Sequence, residues 1–253
     1  MNEIDYRAFY DRVGSENGWD FSRVQCRVEG AEAELYREVS RLSKPSDLLL
    51  DIGTGGGEAL LAVREAAHLL VGIDRSSGMI RTAEANRSRF AAANVRFLRM
   101  EAERLDFPER FFDIVSCRHS AFDAVQVAKV LTDEGTFLTQ QVGEGDKINL
   151  KRAFGRGQSY GVPDGTLMAD YVQRLTEAGF AEVSAAEYDT TEYYRSPEDL
   201  LFLLKHTPII PEFGRHPRDF EILAEFVAAY GGEQGIRTNA KRFVIRAKKT
   251  SRA

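Results

Sequence analysis

At 253 residues, with 43% apolar and 29% charged side chains, the chain is long enough to bury a full core, and its composition excludes disorder. A net charge of -5 argues against a large nucleic-acid footprint, and the longest apolar runs, four or five residues, are far short of a membrane span. Cys26 and Cys117, without a C-x-x-C, support neither a disulfide framework nor a zinc site, and the acidic start Met1-Asn2-Glu3-Ile4-Asp5 carries no apolar leader, so a cytoplasmic location and no bound metal are expected.

From about residue 46 onward, strand-like and helix-like runs alternate. Leu48-Leu49-Leu50-Asp51-Ile52 is short, apolar and followed by glycines, as suits a buried parallel strand. A helical run over 58–68 leads to a second apolar strand, 69–74. Ser76 or Ser77 can cap a helix on which Met79, Ile80, Ala83 and Phe90 recur at helical spacing. Further strands are predicted at 95–100, 112–117 and 136–142, with only a short helix over 121–131 between the last two. The helix 167–178 carries Leu167, Tyr171, Leu175 and Ala178 on one stripe and stops at Gly179. Strands at 183–193 and 241–247 complete an α/β pattern: a Rossmann-like, doubly wound, seven-stranded, mostly parallel sheet.

Two stretches stand outside this alternation. Residues 1–45 hold Tyr6, Phe9, Tyr10, Trp19 and Phe21, and residues 196–235 hold two helical runs separated by Pro208, Pro211 and Pro217. They read as an N-terminal helical cap and a helical lid insertion on a core of 46–195 and 236–253, with Phe202 and Phe213 of the lid facing the ligand; ordinary packing on the sheet's flank is the alternative. No acidic residue follows Glu233, whereas Arg237, Lys241, Arg242, Arg246, Lys248, Lys249 and Arg252 do, which reads as a final strand with a solvated face or as a docking patch.

The chemistry is concentrated in Asp51-Ile52-Gly53-Thr54-Gly55-Gly56-Gly57-Glu58. Glycines let the chain turn sharply out of the strand and let backbone approach a ligand, and the helix that follows aims its free N–H groups at the same spot. Asp74 closes the second strand 21 residues after Gly53, where a carboxylate accepts both ribose hydroxyls of an adenosine. Glu58 stands where a dinucleotide fingerprint needs a small residue, and its carboxylate would repel a pyrophosphate. After the third strand comes Met100-Glu101-Ala102-Glu103-Arg104-Leu105-Asp106-Phe107, and Phe111-Phe112-Asp113 opens the fourth.

In these motifs, over residues 47–142, the chain resembles class I S-adenosylmethionine-dependent methyltransferases, most of all their small-molecule branch with the quinone- and biotin-pathway enzymes. The resemblance implies S-adenosyl-L-methionine as cofactor, with Gly53, Gly55 and Gly57 along its methionine moiety and Asp51 supporting that turn. It implies Asp74 on the ribose, Met79 against adenine with Arg75 beside it, and Glu101 and Ala102 at the adenine edge; Thr54 and Arg118 complete the set. Glu101 in place of aspartate and Asp106 in place of proline depart from the family's pattern.

Methyl transfer from a sulfonium needs proximity and alignment more than a particular catalytic group. His119, in Cys117-Arg118-His119-Ser120 after the fourth strand, is the candidate general base, or it packs beside the cofactor. One of Gln140 and Gln141 is expected to face the acceptor, since neighbours on a strand alternate faces. A small-molecule acceptor is the leading expectation. RNA or protein methylation through the basic C-terminal segment, a non-catalytic adenosyl-binding protein and an NAD-dependent oxidoreductase are the alternatives.

Overall fold

The computed structural model describes residues 21–31 and 34–249. Tyr6, Phe9, Tyr10, Trp19 and Arg252 lie outside the described residues. The strands are β1 (Cys26–Glu29), β2 (Leu48–Ile52), β3 (Leu69–Asp74), β4 (Val95–Arg99), β5 (Phe112–Arg118), β6 (Leu131–Val142), β7 (Glu182–Tyr194), β8 (Gly231–Gly232) and β9 (Gly235–Lys248). The helices are α1 (Leu35–Leu42), α2 (Glu58–Ala62), α3 (Ser77–Arg89), α4 (Ala124–Val130), α5 (Ile148–Phe154), α6 (Thr166–Glu177), α7 (Pro197–His206) and α8 (Asp219–Tyr230).

The strands form one sheet in the order β1-β7-β9-β6-β5-β2-β3-β4, with β8 paired to β9. Strands β4, β3, β2, β5 and β6 run parallel, and β9, β7 and β1 add antiparallel. All seven expected strands are present; β1 and the two-residue β8 are additions to them. Among the described residues of the expected cap, Cys26–Glu29 is a strand on β7 and Leu35–Leu42 a helix.

Period-two alternation divides the strand residues between two apolar layers. Leu50, Ile52, Val71, Ile73, Val115 and Phe137 face α4 and α6, with Val127, Val130 and Leu175 opposite them. Their neighbours Leu49, Leu70, Ile114 and Leu138 face α1, α2 and α3, meeting Leu35, Val39, Leu60, Leu61 and Ala83. Helices on both faces make this a doubly wound sheet, and its order reverses between β2 and β5, so a crevice opens at their carboxyl ends.

Residues 196–235 pack on the sheet's flank, the alternative to a lid. Helices α7 and α8 close a third apolar cluster, with Leu200, Leu204, Leu223 and Phe226 on Leu150, Phe154 and Ile236. Phe202 stacks on His206 at 4.0 Å, and Phe213 meets Phe154 and Phe220. Ser196 caps α7 through a reciprocal box with Asp199, so this unit holds itself in place on the flank. No helix among the described residues is long and apolar enough to cross a membrane.

Candidate functional site

The chain leaves β2 at Ile52 and turns through Gly53, Gly55 and Gly57, all at positive φ (71°, 58° and 77°). A Cβ on Gly53 would run into the Ser120 side chain, so the turn and the loop after β5 are pressed together. The Gly55 N–H donates to Asp74 Oδ2 at 3.1 Å and the Ser76 N–H to Asp74 Oδ1 at 2.8 Å, so Asp74 ties the turn to the start of α3. Ser76 then caps that helix by accepting from the Met79 N–H.

Around this turn lies a cavity of about 660 Å3. Gly53, Thr54, Gly55, Asp74, Arg75, Met79, Ala102, Arg118 and His119 all line it, with Ile73 and Met100 as apolar wall. Three expected residues do not. Gly57 takes the left-handed cap of α2, where a Cβ would strike the buried ring of Phe97; packing, not ligand approach, requires glycine there. Glu101 is exposed, because a tight turn from the Glu101 C=O to the Arg104 N–H swings Ala102 and Glu103 to the cavity in its place. Asp51 sits behind the cavity, fully buried, and accepts from Ser116 Oγ at 2.6 Å and from the Tyr36 hydroxyl at 3.0 and 3.1 Å. Burial pushes its carboxyl pKa up, against those hydrogen bonds and the nearby Thr54 hydroxyl and Arg118.

Tyr36, Ser120, Gln158, Leu167 and Tyr171 also line the cavity without having been expected there, and so does Gln141, one of the two glutamines expected to face the acceptor. Gln141, whose Nε2 donates to the Ser120 carbonyl and to Thr139 Oγ1, reaches this cavity, while Gln140 reaches a second one of about 410 Å3. Both glutamines thus meet a cavity, each on its own side of β6, where only one had been expected to. Tyr36, Arg118 and His119 line both cavities and form their common wall.

His119 closes β5 at φ 55°, with its N–H on the Gln140 carbonyl. Its Nε2 is enclosed and, among the described residues, has no hydrogen-bond partner. Burial, reinforced by Arg242 and Arg118, pushes its pKa down to about 3. A neutral imidazole with so low a pKa is a weak proton acceptor, which counts against the general-base role expected of it. Cys117, pushed up to about 12 by burial, is a small buried hydrophobe rather than a nucleophile.

Adenosyl cofactors of this fold present a sulfonium and an ammonium. The carboxylates of Glu58, Asp74 and Glu103 on the cavity wall complement those charges. Glu58 also occupies the start of α2, held by Asn86 Nδ2, which itself donates to the Gly56 carbonyl, and it leaves that helix end unsuited to a pyrophosphate. The residues present therefore fit S-adenosylmethionine better than a dinucleotide.

Residues 49–135 match the model of a methyltransferase domain. The chain is similar to the uncharacterized methyltransferase YcgJ of Bacillus subtilis, 33% identical over 127 residues, 42% of this chain and half the length of that relative. It is 26% identical over 213 residues to a malonyl-[acyl-carrier protein] O-methyltransferase of Paenibacillus, covering 74% of this chain and 77% of that one. The crystal structure of YcgJ superposes with a TM-score of 0.62 at 20% identity, over 86% of this chain and 98% of that one. The [4+2]-cyclase SpnF gives the same TM-score at 17% identity, over 98% and 96%. Such distant likenesses show the fold, and a cyclase among them shows that the reaction must be argued from the site.

Proposed function

We propose that the chain transfers a methyl group from S-adenosylmethionine to a small-molecule acceptor. The observation that supports this best is the cavity at the switch point of the sheet, lined by the Gly53–Gly55 turn, Asp74, Met79 and Ala102. When bound, the cofactor supplies an electrophilic methyl group on a good leaving group, and the chain's share is alignment and exclusion of water. In this reading Asp74 takes the ribose hydroxyls, Met79 and Met100 cover the adenine, and Ala102 and Glu103 meet its edge; all five line the cavity. Thr54 and Arg75 complete the wall, and Arg118 stands between this cavity and the second.

The basic C-terminal segment supports a macromolecular acceptor poorly. Lys241 pairs with Asp164 at 2.8 Å, Arg242 with Asp146, Lys248 with Glu134 at 3.2 Å, and Lys249 donates to the Ala128 and Leu131 carbonyls. Those charges are used within the chain.

Calorimetric titration with S-adenosylhomocysteine and with NAD tests the reading. We expect one site for the former and none for the latter. Asp74→Ala should weaken binding about 30- to 150-fold, the loss of charge-assisted hydrogen bonds worth about 2–3 kcal/mol. Tighter binding of NAD, or an Asp74→Ala protein that titrates like the parent, contradicts it.

A further inference from the structure

The second cavity, about 410 Å3, lies behind the wall of Tyr36, Arg118 and His119 and is completed by Gln140, Tyr188, Thr190 and Arg242. Its size falls within the roughly 300–1,000 Å3 of small-molecule sites. Its charges do not cancel. Arg242 is taken by Asp146, with Lys147 3.7 Å from the same carboxylate, and Lys147 also donates to Glu192. Glu192 accepts a further hydrogen bond from the Tyr194 hydroxyl at 2.8 Å. These two acids and two bases balance one another. At the rim, Glu34 stands 3.9 Å from Arg37, a second balanced pair.

Arg118 is left over. Its guanidinium lies over the Tyr36 ring, 5.0 Å from the centroid, and among the described residues it has no hydrogen-bond or ion-pair partner. The buried acid Asp51 accepts hydrogen bonds from Tyr36 and Ser116 and acts on Arg118 through space, without a direct ion pair. Beside it stands the enclosed, unpartnered Nε2 of His119. A half-buried guanidinium whose N–H groups have no direct partner among the described residues and a buried ring nitrogen without one are both costly unless a ligand answers them.

We infer that this second chamber receives the acceptor and selects one that carries a single carboxylate, which pairs with Arg118 and hydrogen-bonds to His119. This rests on the methyl-transfer reading and adds the class of substrate to it. One uncompensated guanidinium matches a monoanion, and its planar pair of N–H groups matches a carboxylate; a phosphate dianion would bring a second charge with no partner. Neutral His119 can donate from Nε2 without becoming charged. Arg118 is shared with the cofactor cavity, whose own ligand carries a carboxylate, and the experiment separates the two uses.

Protein saturated with S-adenosylhomocysteine is titrated with straight-chain and aromatic mono-acids of about four to ten carbons, with their primary amides, and with inorganic phosphate. At least one acid should bind about tenfold or more tightly than its amide. Arg118→Gln should erase that preference, while Arg118→Lys keeps part of it. Far-UV circular dichroism confirms that both variants are folded, and the acid–amide comparison in the unaltered protein stands without them. Acids that bind no better than their amides, or phosphate that binds tighter than the acids, overturn the assignment. So does an Arg118→Gln protein that loses S-adenosylhomocysteine instead of the acid, since the guanidinium then serves the cofactor. In each of these cases the methyl-transfer reading survives; failure of S-adenosylhomocysteine to bind the parent protein removes that reading and this one together.

Discussion

Single residues carry opposite obligations within one turn. Gly57 and Gly53 look alike in sequence, yet Gly53 faces the cavity and Gly57 faces Phe97. Gly57→Ala should cost about 2–4 kcal/mol in urea denaturation, from a left-handed Cβ and a displaced core ring. It should leave S-adenosylhomocysteine binding by the folded protein intact; lost binding at unchanged stability contradicts that division. His119 gives a pH signature. Its folded pKa is depressed to about 3 from 6.5, so the native imidazole stays neutral while the unfolded one takes up a proton below 6.5. Its contribution is complete above pH 6.5 and is lost as pH falls toward 3. Between pH 7 and pH 5 the parent should lose about 2 kcal/mol more stability than His119→Asn, a residue that tolerates the same positive φ. Equal pH slopes for the two proteins would mean that the ring is solvated.

At the scale of elements, α1 lies within residues 1–45, one of the two segments expected as a cover. Tyr36 leans from it over Asp51 and walls both cavities, while α7 and α8 contribute no lining residue to either. Tyr36→Phe should lower stability by about 1.5–3 kcal/mol, the range for a hydrogen bond to a charged group, and should speed hydrogen exchange through Leu35–Leu42. Exchange in α1 unchanged by the substitution would show that Leu35 and Val39 hold it alone. The strands, α3 and α6 were legible because their signals are local: alternation against two buried layers, Ser76 as cap, Gly179 as stop. The turn and Asp74 were legible because a strand end and a following helix predict where they point. Tyr36, Gln158 and Tyr171 were not, because each reaches the cavity from a distant part of the chain. Glu101 was misplaced because one tight turn exchanges it with Glu103. The second chamber joins residues 34–37, 118–119, 188–192 and 240–242, a juxtaposition that only the pairing of β7 with β9 and β9 with β6 creates.

For the whole molecule, the sheet places two cavities side by side at its switch point, and its antiparallel half with α5, α7 and α8 forms a separate buttress. The central claim is that the cavity over the glycine turn is the adenosyl site and that its cover is α1. Hydrogen–deuterium exchange with and without S-adenosylhomocysteine tests it segment by segment. The account predicts protection over 53–59, 74–79, 100–103 and 34–42, with 196–230 unchanged. Protection concentrated in 196–230, or none over 53–59 at saturating ligand, would contradict it.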